Sequence, residues 1–252
     1  MDSNLLTLLG LAFIGSVAGL IGGVVFLIKD SLARTLSKYA VPFAAGVLLS
    51  VSLLNLLPEA HHAIGDRAFL IVLLALLASF FFEQFFAHLH HHEHKKATTI
   101  KISVPLIIFG DTMHNFIDGV AIAAAYLTNP TFGLIVALAS FLHETPHEIG
   151  DFGILISAGW KKTKAFFVNL LSALATFPGA LWVYFSFRGE DVHSKIGVLL
   201  AISAGVFLYL GASDFLPEVG EEEHKVPAWK EFTLLILGVG IMYILTLFTP
   251  AH

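Results

Sequence analysis

Eight apolar stretches, each close to twenty residues or longer, run from one end of this chain to the other. They lie at roughly 4–28, 39–60, 68–87, 102–126, 131–157, 165–187, 195–217 and 231–249. An α-helix needs about 20 apolar residues to cross the hydrocarbon core of a bilayer. No water reaches that depth, so each crossing segment must bond its own backbone, as a helix does. The predicted fold is all-α and integral to the membrane, with eight transmembrane helices. Short polar connections leave no room for a separate soluble domain, so residues 1–252 read as one transmembrane domain.

Composition agrees. The chain is 56% hydrophobic and 13% charged, where a soluble domain carries about a quarter charged residues. It has no cysteine, which excludes disulfides and thiolate metal sites. The net charge of −5 is weak and gives no reason to expect a nucleic-acid partner. Met1-Asp2-Ser3-Asn4 lacks the basic start of a signal peptide, and none is expected.

Lys and Arg give the orientation, because they concentrate on the cytoplasmic side. With the N-terminus outside, eleven of them fall in inner connections and only Arg67, Arg188 and Lys195 in outer ones. Both termini are then extracytoplasmic. The connection at 88–101, with His88, His90, His91, His92, Glu93 and His94, is then cytoplasmic. Clustered histidines suit transition metals, so the loop is read either as a solvated linker or as a segment that takes up or senses metal.

The second and seventh stretches resemble each other. Ala45-Gly46-Val47 lies fourteen residues before Glu59 of Leu57-Pro58-Glu59, and Ala204-Gly205-Val206 lies fourteen before Glu218 of Leu216-Pro217-Glu218. Asn55 and Asp214 take matching places. These stretches cross in opposite directions, which predicts an inverted repeat of helices 1–3 and 6–8 around helices 4–5. Transporters built this way place their substrate near the midplane between repeats.

The fourth and fifth stretches break the apolar pattern with His114-Asn115-Phe116-Ile117-Asp118 and His143-Glu144-Thr145-Pro146-His147-Glu148. A charge at mid-bilayer costs about 3 kcal/mol or more, so such residues are rare and usually functional. Residues three and four apart share a helix face. His114 therefore pairs with Asp118, His143 with His147, and Glu144 with Glu148, while Asp111 and Asp151 extend the two stripes. A lone intramembrane His or Asp is often only a helix–helix hydrogen bond. Three histidines and three carboxylates within 35 residues are a metal-ligand set. Zn²⁺ takes four N or O donors. The set exceeds one ion's need, so two adjacent cations bridged by carboxylates fit better. Pro146 cannot donate to the Leu142 carbonyl and favours a kink beside a polar pathway. Glu59, Glu83 and Glu218 lie near helix ends and read as interfacial.

His143-Glu144-Thr145-Pro146-His147 also matches HExxH, in which two histidines bind zinc and the glutamate is a general base. An intramembrane zinc metalloprotease is therefore a rival. Proline inside the motif and the surplus of donors on the fourth stretch argue against it. A cation exporter with HxxxD pairs and a structural metal site in a membrane scaffold are further alternatives.

At these residues the chain resembles the ZIP family of divalent-metal transporters. GDTMHNFIDGVAIA (110–123) is similar to the family's fourth-helix motif, and HETPHEIGDF (143–152) to the fifth-helix HExPHExGD signature of its zinc-importing subfamily. AGVFLYLGASDFLPE (204–218) is similar to the seventh helix. The resemblance implies import of Zn²⁺ into the cytosol as substrate, with no organic cofactor and no covalent catalysis. Cd²⁺, Fe²⁺ and Mn²⁺ stay open, although three imidazoles favour zinc over the harder Mn²⁺. It implies a binuclear site, with His114, Asp118, His143 and His147 on one ion and Asn115, Asp118, Glu144 and Glu148 on the other. It also implies a homodimer in the bilayer, working by movement of one helix bundle past a static one. Relatives with ligands on helices 2 and 6 find there only Ser52, Asn55, Asn169 and Ser172 in this chain.

Overall fold

The apolar stretches are helical throughout the described residues of the computed structural model, which are 3–90, 96–187, 192–219 and 226–248. Only the backbone is described for Phe26, Asp30, Arg34, Leu106, Glu218, 86–90 and 96–103. The helices are α1 (Ser3–Gly15), α2 (Ile21–Ile28), α3 (Asp30–Ser50), α4 (Leu57–Ile64), α5 (Arg67–His90), α6 (Lys96–Thr128), α7 (Pro130–Ser157), α8 (Lys162–Ala173), α9 (Thr176–Ser186), α10 (Val192–Tyr209), α11 (Leu216–Glu218) and α12 (Ala228–Thr246). The His-rich connection is shorter than its sequence suggests. Backbone helix continues to His90 and resumes at Lys96, and residues 91–95 lie outside the described set.

Six stretches are long and apolar enough to cross a membrane: Ser3–Val25, Ser31–Ile64, Arg67–Phe85, Lys162–Ser186, Val192–Phe215 and Ala228–Thr246. The protein is an integral, multi-pass membrane protein. Helices α6 and α7, with 33 and 28 residues, also have the length. Their ionisable residues lower their mean hydropathy, and neither is among the six.

Four of the expected single helices are jointed rods, and each joint has a local cause. Between α1 and α2 a 3₁₀ turn, Val17–Leu20, follows Ser16. Between α8 and α9, Pro178 cannot donate to Leu174, and the Phe177 N–H bonds the Leu174 carbonyl instead. That leaves the Ala173 carbonyl free, and the Ser16 hydroxyl reaches it at 2.9 Å. Joints at Val51–Leu56 and Leu210–Phe215 are π-helical. There the Leu57 and Leu216 N–H groups each reach back five residues, to Ser52 and Gly211, just before Pro58 and Pro217. Such π turns are uncommon and gather at functional sites. At Pro146, by contrast, α7 runs on as one helix.

The rods pack as two groups. Helices α1, α2, α8 and α9 pack on α6 and α7, while α3, α4, α5, α10 and α12 pack on one another. The groups meet where α3 crosses α7 and α10 crosses α6. Glycine sets the closest crossing within each group. A Cβ at Gly179 would lie 2.2 Å from the Phe116 carbonyl oxygen, and one at Gly238 would lie 2.3 Å from that of Phe43. The buried run Val120–Tyr126 of α6 sits at the centre of the core. Around the outside, α5 and α12 expose Phe69, Leu70, Leu73, Phe81, Phe85, Phe232 and Ile236, an apolar coat that suits lipid.

Candidate metal centre

Helices α6 and α7 lie side by side, and the i, i+4 stripes expected from the sequence face each other. His114 Nε2 lies 3.1 Å from His143 Nε2 and 2.8 Å from Glu144 Oε1. His143 Nε2 lies 3.4 Å from Asp118 Oδ2 and 3.6 Å from Glu144 Oε1. The ligand atoms of His114, Asp118, His143 and Glu144 all fall within 4.8 Å of one another. Asp118, His143 and Glu144 have no exposed surface.

One hydrogen bond fixes the chemistry of this group. His143 Nδ1 lies 2.9 Å from the Ala139 carbonyl oxygen. A carbonyl can only accept, so Nδ1 carries the proton and a neutral His143 presents its Nε2 lone pair to the cluster. That lone pair faces two carboxylates, and both Asp118 oxygens and both Glu144 oxygens are buried without a hydrogen bond from the rest of the protein. Lone pair against carboxylate is repulsive, and buried unpaired carboxylates are costly. A divalent cation between them removes both penalties.

The other expected residues are placed as follows. Glu148 is fully buried, and its Oε2 accepts from Asn169 Nδ2 at 2.8 Å. Its ligand atom groups with those of Asp111 and Glu144. Glu144 thus joins two neighbouring donor sets, a bridging place that the resemblance implies for Asp118. His147 turns away from His143. Its Nδ1 lies 3.5 Å from Asp151 Oδ2 and 4.0 Å from Asp111 Oδ1. Asn115 donates from Nδ2 to Asp111 Oδ1 at 2.8 Å. Its Oδ1 accepts from Thr176 Oγ1 at 3.3 Å and sits against the Ser16 hydroxyl. Asn115 therefore pins α6 to both jointed rods of its group.

Sequence reasoning missed two partners, Ser16 and Thr176, and named Asn169 only as a doubtful ligand of the sixth helix. Asn169 holds Glu148, and Ser16 and Thr176 hold Asn115. All three are single polar residues in apolar runs, which was their one visible signal. The far wall is aromatic. Phe207 of α10 packs 5.6 Å from the His143 ring, and Phe215 packs 6.2 Å from that of His147, centroid to centroid.

The sequence model of the ZIP zinc transporter family matches residues 88–246, a span that contains every residue of this cluster. The chain belongs to the ZIP zinc transporter family. Among curated ZIP relatives, zinc transporter ZIP10 of Danio rerio is 41% identical over 150 residues, which are 57% of this chain and 18% of that protein. Zinc transporter foi of Drosophila melanogaster is 39% identical over 62% of this chain and 22% of its own length. Zinc transporter ZIP13 of Pongo abelii is 33% identical over 61% of this chain and 47% of its own. The matched region thus spans less than half the length of these ZIP relatives.

Proposed function

We propose that this chain imports Zn²⁺ across a cell or organelle membrane into the cytosol, through the donors on α6 and α7. The observation that carries this reading is the His143 lone pair aimed at two buried carboxylates on adjoining membrane helices, of which Asp118 has neither oxygen hydrogen-bonded. One ion takes His114, Asp118, His143 and Glu144, with His147 joining as its ring turns. A second takes Glu144 and Glu148, beside the Asp111 that Asn115 holds. The carboxylates Asp118, Glu144 and Glu148 offset most of the charge of two divalent ions.

The eight-span topology belongs to this proposal, with α6 and α7 crossing as the fourth and fifth spans. Ala204 lies 159 residues after Ala45 (204 − 45), and the π turns at 51–56 and 210–215 are the same distance apart (210 − 51). This supports the inverted repeat. Both termini are extracytoplasmic, the 88–101 segment is cytoplasmic, and the protein works as a homodimer. The two helix groups meet where α3 packs on α7 and α10 on α6, and a shift of the group bearing the metal against the other exposes the site to each side in turn.

The names of the relatives favour transport over proteolysis, and no covalent step is needed. The test is zinc flux into sealed proteoliposomes, with peptide cleavage assayed in the same preparation. Uptake by the unaltered protein and none by Asp118→Ala is expected. Cleavage that Glu144→Gln abolishes, without flux, would establish the protease instead.

A further inference from the structure

Asp111, His147 and Asp151 form a cluster of their own, one helical turn along α7 from the His143 group. Their ligand atoms lie within 4.8 Å of one another. Asp111 is 5% and Asp151 8% exposed, and neither Asp151 Oδ2 nor His147 Nδ1 has a hydrogen-bond partner. A buried carboxylate oxygen and an imidazole nitrogen, both unbonded and 3.5 Å apart, leave a place for a cation between them.

We infer that Asp111, His147 and Asp151 make a third metal station, formed when the His147 ring lies toward Asp151 rather than turned to the first ion, from which the ion leaves toward the cytosol. The direction of exit rests on the proposed transport and orientation; the station itself does not. Three features support it. Asp111 and Asp151 add two negative charges, the charge of one further divalent ion. The donor sets overlap in series, because Glu144 is shared between the His143 group and the Glu148 group, and Asp111 between the Glu148 group and this one. An ion can therefore exchange ligands one at a time and is never left bare. The ligand quality also falls along the series. The first station offers two imidazoles and two carboxylates without exposed carboxylate surface. The third offers one imidazole and two carboxylates, and the His147 side chain is 22% exposed. Three protein donors leave coordination positions for water, and Zn²⁺ keeps open positions wherever it exchanges ligands. The station is thus built for rehydration, and Asp151 lies toward the Ser157 end of α7, the end that leads into the Lys161–Lys164 connection assigned to the cytosol.

Equilibrium dialysis with zinc alone counts ions per chain in the full-length protein. Any ions held by the His-rich segment contribute equally to every variant. Asp151→Asn is expected to lose one ion, His143→Ala to lose a different one, and the double variant to lose both. Asp151→Glu, which keeps the charge, should recover the ion. In proteoliposomes Asp151→Asn should slow the maximal uptake rate at least tenfold, and the zinc concentration for half-maximal uptake should shift less than twofold. An unchanged ion count in Asp151→Asn overturns the station. So does a double variant that loses no more than His143→Ala. If the unaltered protein shows no flux, the transport reading fails, while the ion count still decides whether the station exists.

Discussion

Gly119 and Gly179 let α6 and α9 meet backbone to backbone, and Gly46 and Gly238 do the same for α3 and α12. Around the first crossing the chain buries Asn115, Asp118 and Thr176, with His143 and Glu144 close by on α7. Around the second it buries Ala44, Ala45, Val47, Leu48 and Met242. The same packing device thus serves two interiors. Polar atoms near the α6 crossing need partners at membrane depth, and several lack them. Around the α3–α12 crossing the buried polar groups are fewer, and Ser50 bonds the Gly46 carbonyl and Asn55 the Thr246 hydroxyl. The difference separates a group of helices that is stable because it is full from one that is completed by its substrate.

The largest expected effect cuts along that line. His143→Ala or Asp118→Ala should lower zinc uptake in proteoliposomes about 100-fold or more, since each removes a donor from a four-ligand set. Met242→Ala, at a fully buried position, should cost about 2–5 kcal/mol of stability through the cavity it leaves. The folded fraction should then bind zinc as before. Equal loss of binding by Met242→Ala would erase the distinction between the two groups.

Acid should act on the first group alone. A histidine binds metal only when neutral, and an ordinary imidazole titrates near pH 6.5. Binding is therefore intact above that range and is lost as pH falls through it. With at least two histidines in the set, uptake should drop about tenfold or more between pH 7.5 and 5.5. A flat profile in a pH-jump flux assay would argue for an all-oxygen site. Packing changes come next. Gly179→Ala and Gly238→Ala each force a methyl group onto a backbone oxygen and should each cost about 1–3 kcal/mol. Only Gly179→Ala should also weaken zinc affinity, by a few fold in titration calorimetry, because α6 carries His114 and Asp118.

Much of this contrast can be read from sequence, and the reasons are physical. Bilayer thickness imposes a length on every crossing segment, so the apolar runs already located the helices. The i, i+4 spacing of His114 with Asp118 and of Glu144 with Glu148 already put their side chains on shared faces. What spacing could not give was direction within a face. His147 sits at the same interval from His143 as Asp118 from His114, yet it turns toward Asp111 and Asp151. That choice depends on rotamers and on which neighbour packs behind the ring, here Phe215. The joints were hidden for a related reason. Pro178 and Pro58 were visible, but their effect depends on whether a distant group can take up the freed carbonyl. Ser16 does so for Ala173 from 157 residues away in sequence. Pro146, by contrast, stays inside a continuous α7.

The smallest expected effect compares two asparagines, one in each group. Asn55 donates to Thr246 Oγ1 at 3.1 Å and touches none of the metal donors named above. Asn55→Ala should cost about 1 kcal/mol, the worth of one hydrogen bond, with zinc affinity unchanged. Asn115 has a similar cost in stability and a second role. Its amide orients Asp111 and spans the joints at Ser16 and Thr176, so Asn115→Ala should loosen zinc three- to tenfold while the number of bound ions stays the same. A loss as deep as that of His143→Ala, together with one fewer ion per chain, would make Asn115 a full ligand of the second ion. In that case the bonds to Ser16 and Thr176 are a resting state that metal breaks. The shallower loss would make the asparagine a clamp, holding the carboxylates where the ion needs them.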